Sequence, residues 1–193
     1  MAPARATHGL AGFTLVELLM ALSTGLLLML AIAQLLLAET ADARRLGRVM
    51  REQLGAQRAL GLIQNELQQA IAVSSSLPVG GHAGCGLTGR EIRLVLQLAS
   101  GLVTYSVEGK PAAIWRGSAL MRCGPTYGLD GQLNPGSNQS TVLIDAVHGS
   151  TLSWQSMEGG VLLRLERSVV DGAGRRDGIE VSQWVPVSLD RLP

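Results

Sequence analysis

From Phe13 to Ala38 the chain reads FTLVELLMALSTGLLLMLAIAQLLLA, an apolar run broken by one carboxylate, Glu17. About 26 residues of helix cover roughly 39 Å at ~1.5 Å per residue, more than the ~30 Å hydrocarbon core of a bilayer. Leu, Met and Ala dominate and no proline intervenes, so helix is the favoured state. Two readings compete for this segment. In one it is a secretory signal, cut after the small-x-small string Ala31-Ile32-Ala33 so that the product begins at Gln34. Against that, the apolar run continues to Leu37 and carries a charge inside it. In the other it is a permanent anchor, and Glu17 then needs an explanation. A carboxylate within a bilayer is costly and usually has a partner, although near the end of a span it can reach the headgroups.

The rest of the composition narrows the options. Hydrophobic residues make up 47% of the chain but aromatics only 3%, so the excess is aliphatic and gathers near the N-terminus. Sixteen Lys and Arg stand against 15 Asp and Glu. No basic field extends over the whole protein, and charge does not indicate a nucleic-acid partner. The two cysteines, Cys85 and Cys123, are too few for a cysteine-based zinc site without histidine. In an oxidising compartment they form one disulfide, whose long loop would stabilise the fold by roughly 3–4 kcal/mol. The alternative is two buried, unpaired thiols.

Residues 39–73 continue the helix in amphipathic form. Leu46, Met50, Leu54, Leu60, Ile63, Leu67 and Ile71 recur mostly at steps of three or four, with Arg44, Arg48, Arg51, Arg58 and Glu66 on other faces. Gly47, Gly55 and Gly61 weaken it locally, and Ser74-Ser75-Ser76 with Pro78 ends it. Beyond residue 79 the periodicity becomes that of strands. Glu91–Leu98 alternates, with Ile92, Leu94, Leu96 and Leu98 on one face. Val103–Val107, Thr141–Val147, Thr151–Gln155, Gly160–Arg167 and Ile179–Leu189 follow, the last an edge strand because it holds Pro186. Gly128–Ser140 and Asp171–Gly178 read as loops. The expected fold class is α+β: one long helix over about 13–73, its second half laid on an antiparallel sheet.

The string Gly12-Phe13-Thr14-Leu15-Val16-Glu17-Leu18-Leu19 resembles the leader junction of type IV prepilins and type II secretion pseudopilins. The likeness combines a short leader, Gly before Phe, Glu at the fifth position of the product and about 20 apolar residues after it. It implies a pilin-like fold and cleavage by a prepilin peptidase between Gly12 and Phe13. It also implies N-methylation of the new Phe13 amine and assembly into a filament through the N-terminal helix. Glu17 would then pair with the Phe13 amine of a neighbouring subunit in a dry helix bundle, fixing the axial register.

Further segments are similar to minor pilins of the PilW kind. These are Arg58-Ala59-Leu60, Asn65-Glu66-Leu67-Gln68-Gln69-Ala70, Ala83-Gly84-Cys85-Gly86, Val103-Thr104-Tyr105, Ile114-Trp115-Arg116 and Leu143-Ile144-Asp145-Ala146-Val147. The minor pseudopilin GspJ shares the helix features and is the rival. Ser74–His82 departs from the pattern.

The division implied is a cleaved leader over 1–12, a transmembrane and filament-core helix over 13–38, an amphipathic helix over 39–78 and a β head over 79–193. The location implied is the inner membrane with a periplasmic head, then the pilus. The partners are other pilins and minor pilins, and the function is to prime or cap pilus assembly in support of twitching motility, adhesion or DNA uptake. A membrane-tethered binding domain outside any filament is a third reading. Arg44, Arg45, Arg48 and Arg51, set against Arg5 before the span, argue for the opposite orientation. Long domains cross largely regardless of charge, and the junction is the more specific signal.

No cofactor or enzymatic activity is expected. His8, His82 and His148 have no metal-ligand spacing, and no Ser-His-Asp set can be argued. Asp130-Gly131-Gln132-Leu133-Asn134 lacks the ligand set and closing Glu of a calcium loop, and Asp171-Gly172-Ala173-Gly174 lacks the Lys of a phosphate loop.

Overall fold

The computed structural model describes residues 14–81, 84–170, 174 and 176–187, with backbone alone for 38–42, 44, 148–150, 169, 170 and 177. The chain divides into two compact units, Met1–Arg48 and Val49–Pro193. Helix α1 (Leu15–Gln69) contributes its first part to one and its last part to the other.

In the first unit Leu15–Leu37 has a mean hydropathy of 2.3 and none of it is buried. By length and composition these 23 residues suffice to cross a membrane. The helix opens on a capping box. Glu17 N–H donates to Thr14 Oγ1 at 3.3 Å, and Thr14 N–H donates to Glu17 Oε2 at 3.0 Å. Thr14-x-x-Glu17 therefore satisfies two amide donors that a helix start leaves open.

In the second unit α1 packs on a sheet. Ala56, Ala59, Leu60, Ile63 and Leu67 form its buried face, at helical spacing, and Ala70, just past its end, joins the same core. The expected apolar face divides. Leu60, Ile63 and Leu67 enter the core, whereas Leu46, Met50, Leu54 and Ile71 are more than half exposed. The small residues Ala56, Ala59 and Ala70 take part in the contact instead, which lets helix and sheet approach closely. The helix ends at Gln69, not near 73, because Ile71 N–H turns to the Gln97 carbonyl at 2.7 Å and the chain continues as strand. Ser74, expected among the residues that stop the helix, is therefore the last residue of a strand.

The sheet has seven strands: β1 (Ala72–Ser74), β2 (Arg90–Leu98), β3 (Gly101–Glu108), β4 (Ser118–Tyr127), β5 (Leu133–Met157), β6 (Gly160–Val170) and β7 (Arg176–Pro186). Spatial order equals chain order, and every neighbouring pair is antiparallel. The class is thus α+β, as the patterning indicates. Two hairpins close in two residues, Ala99-Ser100 and Glu158-Gly159. Gly159 sits at φ +77°, a conformation that favours glycine in so tight a turn.

Several strand expectations change. A bulge between Ile92 and Leu94 sets Ile92 opposite Ser106 and Leu94 opposite Tyr105. The extra residue moves Ile92 to the other face, so only Leu94, Leu96 and Leu98 of that alternation reach the core. Thr141–Val147 and Thr151–Gln155 are parts of one strand, β5, which bends at a register shift between Val147 and Leu152 and has Ala146 at φ 57°. Leu133–Ser140, read as loop, is strand as well. β4 leaves no alternation to read because both its faces are covered, Ala119 through Pro125 being buried. β7 is an edge strand, and Pro186 is its last residue.

Candidate functional site

The residues of the expected processing junction, Gly12 and Phe13, lie outside the described residues. Glu17 is described and fully exposed at the start of the apolar span. Its Oε2 accepts both from the Thr14 amide and from Thr14 Oγ1, each at 3.0 Å. The carboxylate that the resemblance would pair with a neighbouring amine is, within this chain, a local helix cap. The Thr-x-x-Glu spacing that produces it was readable in the sequence.

Cys85 and Cys123 form a disulfide with a Cα–Cα distance of 6.1 Å, across 38 residues of sequence. It ties the connection between β1 and β2 to the middle of β4. Cys123 is buried, and its neighbour Arg122 points to the opposite face, toward α1.

That opposite face holds a cluster that the periodicity did not reveal. Glu66 of α1, expected on a polar face, is completely buried. Its Oε1 accepts from Arg122 Nε at 2.8 Å and from the Tyr127 hydroxyl at 2.7 Å, and Arg122 Nη2 lies 2.6 Å away. Its Oε2 accepts from the Tyr105 hydroxyl. Arg122 Nη2 also donates to the Pro125 carbonyl at 3.0 Å, and the guanidinium lies 5.3 Å from the centre of the Tyr127 ring. One carboxylate from the helix is therefore ligated by β3 and β4 together. Burial pushes the Tyr105 hydroxyl well above its usual pKa, and the adjacent Glu66 charge adds to the effect. Tyr127 is raised in the same way, by burial and then by Glu66. Burial opposes the charge on Arg122, but its bonds to Glu66 outweigh that and hold its pKa above the ordinary value.

A second charged cluster joins α1 to β5 and β6. Arg167, almost fully buried, contacts Glu52 Oε2 at 2.8 Å and donates to the Glu52 and Asp145 carbonyls at 2.9 and 2.8 Å. Arg116, from the connection between β3 and β4, grips Glu52 at 2.6 Å and Asp145 at 2.8 Å. The hydrogen bonds from Arg116 hold both carboxylates below their ordinary pKa, against the opposing effect of burial, with help from Arg167. Arg116 itself is raised by the same bonds. Ile114-Trp115-Arg116 and Leu143–Val147, far apart in sequence, thus meet through one arginine.

Each cluster ends its hydrogen bonds within the fold. What they do chemically is fix α1 against particular strands. Among the described residues no group of three or more His, Cys, Asp or Glu could hold a metal ion. His8, His82 and the side chain of His148 lie outside the described residues. Asp130 Oδ1 accepts from the Gln132 amide at 3.0 Å, closing a turn that Gly128 and Gly131 also stabilise.

Comparison of the chain with family models, with curated proteins and with solved structures finds no match.

Proposed function

We propose that the chain is a minor type IV pilin, a structural subunit that is trimmed after Gly12 and joins a filament through the apolar part of α1. One observation carries the reading. A lone carboxylate, Glu17, stands near the head of a 23-residue apolar helix, four residues after Phe13 of a Gly-Phe junction, and that helix runs on into an α+β unit. A simple anchor gains nothing from a charge there. A subunit that must choose one axial offset against its neighbours does, because any other offset leaves the charge unpaired.

The capping box adds to this reading. With Oε2 held by Thr14, the carboxylate is fixed at the helix start, and Oε1 has no partner among the described residues. A cation arriving from a neighbour would meet an oriented acceptor, not a freely rotating side chain. In this role the protein resides in the inner membrane with its sheet in the periplasm, then enters the pilus. It would prime or cap assembly with other pilins and so support twitching, adhesion or DNA uptake.

Intact mass of the protein extracted from membranes tests the processing step. The expected product lacks residues 1–12 and carries one added methyl group. A product beginning at Met1 or at Gln34 would overturn it. Glu17→Ala tests the assembly step: the variant is expected to be processed and to stay in the membrane but to be lost from sheared filaments. Undiminished incorporation would remove Glu17 from that role.

A further inference from the structure

Neighbouring antiparallel strands are commonly joined by about two to five residues, as at Ala99-Ser100 and Glu158-Gly159. β1 and β2 are joined by residues 75–89. The register shows where this long connection goes. Ser74 pairs with Val95, Val95 with Thr104 and Thr104 with Cys123, so these residues form one row across β1 to β4, about 14 Å long at ~4.8 Å per strand. The row faces away from α1, since Tyr105 and Arg122, the next residues of β3 and β4, reach Glu66 on the other side. The connection leaves the row at Ser74 and is bonded to its far end through Cys85–Cys123, so it runs over Val95 and Thr104. There Gly84 lies against the Asn138 side chain of β5. The return leg from Cys85 to Arg90 passes the next outward row, Ile92, Ser106 and Met121.

Val95, Thr104, Ser106 and Cys123 are buried beneath this crossing, the last three completely. The connection itself is not: none of its described residues, 75–81 and 84–89, is buried, and none belongs to the hydrophobic core. The Gly81 amide donates to the Pro78 carbonyl and the Arg90 amide to the Leu87 carbonyl, closing turns inside the connection. Below it, Thr104 Oγ1 and Ser106 Oγ have no hydrogen-bond partner among the described residues. Buried unpaired hydroxyls are costly, and the cost ends when water reaches them. Arg90, at the far foot, is held separately by Glu108 at 2.8 Å and Ser140 at 2.6 Å.

We propose that residues 75–89 are a strap latched by the Cys85–Cys123 bond, a redox-sensitive device that a dithiol opens while α1 and the sheet stay together. Cys85 is the partly exposed partner and Cys123 the buried one, so the incoming thiolate attacks Cys85 Sγ. The S–S bond breaks, and Cys123 leaves as a thiolate that takes a proton from water. The second thiolate of the dithiol then attacks the mixed disulfide and releases Cys85. Two electrons pass to the protein, which gains two thiols, and the dithiol becomes a cyclic disulfide. The core face of α1 and both charged clusters are built without a residue of the strap, so they keep their contacts when it lifts. The hydroxyls of Thr104 and Ser106 then meet water, which favours the open strap once the latch is cut. The inference rests on the sheet and the disulfide and does not depend on the filament reading.

The test uses the full chain in detergent micelles, with and without dithiothreitol. Limited proteolysis by thermolysin is expected to cut the reduced protein within 75–89 at least about tenfold faster than the oxidised one, because cleavage follows the population of the opened state. An unchanged rate, or cuts spread over β3 to β6, would overturn the proposal. Thiol labelling separates a lifted strap from general unfolding. In Cys85→Ser the single thiol is Cys123, under the strap. In Cys85→Ser/Cys123→Ser/Ala59→Cys the single thiol lies in the core face of α1, and neither variant has the bond. Iodoacetamide is expected to label the first at least about tenfold faster than the second, since local opening precedes global opening. Equal rates would mean that Cys123 is reached only when the whole fold opens, and the latch would be refuted. Adding Thr104→Val and Ser106→Ala to Cys85→Ser is expected to slow the labelling of Cys123, and an unchanged rate would overturn the part given to the two hydroxyls.

Discussion

A carboxylate with no solvent contact persists only where donors replace the water it has lost. Glu66 meets that condition with donors from three side chains, Tyr105, Arg122 and Tyr127. Removing the acid leaves the Arg122 guanidinium buried and uncompensated. Glu66→Gln is therefore expected to cost about 3–5 kcal/mol of stability by denaturant titration. Combining it with Arg122→Met should recover much of that loss, and failure to recover would show that the pair matters for something besides its charge.

The two tyrosines on Glu66 are the only two in the chain. Both have folded-state pKa values above the ordinary value of 10.0. The folded state thus favours the protonated hydroxyls. That stabilisation is fully present below pH 10 and is lost as pH rises from there through the folded values. Tyrosinate absorbance should accordingly stay absent above pH 10 and appear together with unfolding. A smooth titration near pH 10 in the folded protein would contradict the cluster.

Little of this was legible beforehand. Glu66 stands three residues after Ile63 and seven after Ala59, a spacing that puts it on the flank of the buried face, but periodicity treats any acid as solvated. Arg122 and Tyr127 sit in a strand without alternation, so nothing local marks them as its partners. The Thr14–Glu17 box, by contrast, is a four-residue pattern and needed no tertiary knowledge.

At the scale of the element, α1 has two apolar stripes with different fates. Leu60 is fully buried against the sheet, whereas Leu54, six residues earlier, is half exposed. Leu60→Ala is expected to cost about 2–5 kcal/mol, and Leu54→Ala to stay within about 0.5 kcal/mol. Comparable losses at both sites would mean that the helix buries a wider face than described. Sequence spacing identified the helix and most strands because periods of 3.6 and 2 are local properties. It could not rank Leu54 against Leu60, because only the sheet's position decides which stripe it covers. It also missed β1, which is too short to show a period, and the Ile92 bulge, which shifts the period midway.

For the whole molecule, the disulfide is the single covalent link between distant parts of the described chain. Chain-entropy arguments give about 4 kcal/mol for a loop of 38 residues. The Cys85→Ser/Cys123→Ser double variant is expected to lose stability of that order, and thermal unfolding with and without reductant provides the same comparison in the unaltered chain. The cysteine pairing was open in the sequence, since two thiols can remain apart. The α+β class was readable, because helix periodicity ends once, near residue 73, and strand periodicity follows it beyond residue 79 without a return to helix.

The strand order has a consequence for how the sheet is made. Because each strand lies beside its predecessor, from β1 to β7, no strand waits for one synthesised much later. Each hairpin gives the next strand a ready template, and α1 precedes them all as the surface on which they gather. A polypeptide that emerges in chain order, β1 before β7, can therefore lay down its sheet strand by strand, with small loop-closure costs at each addition.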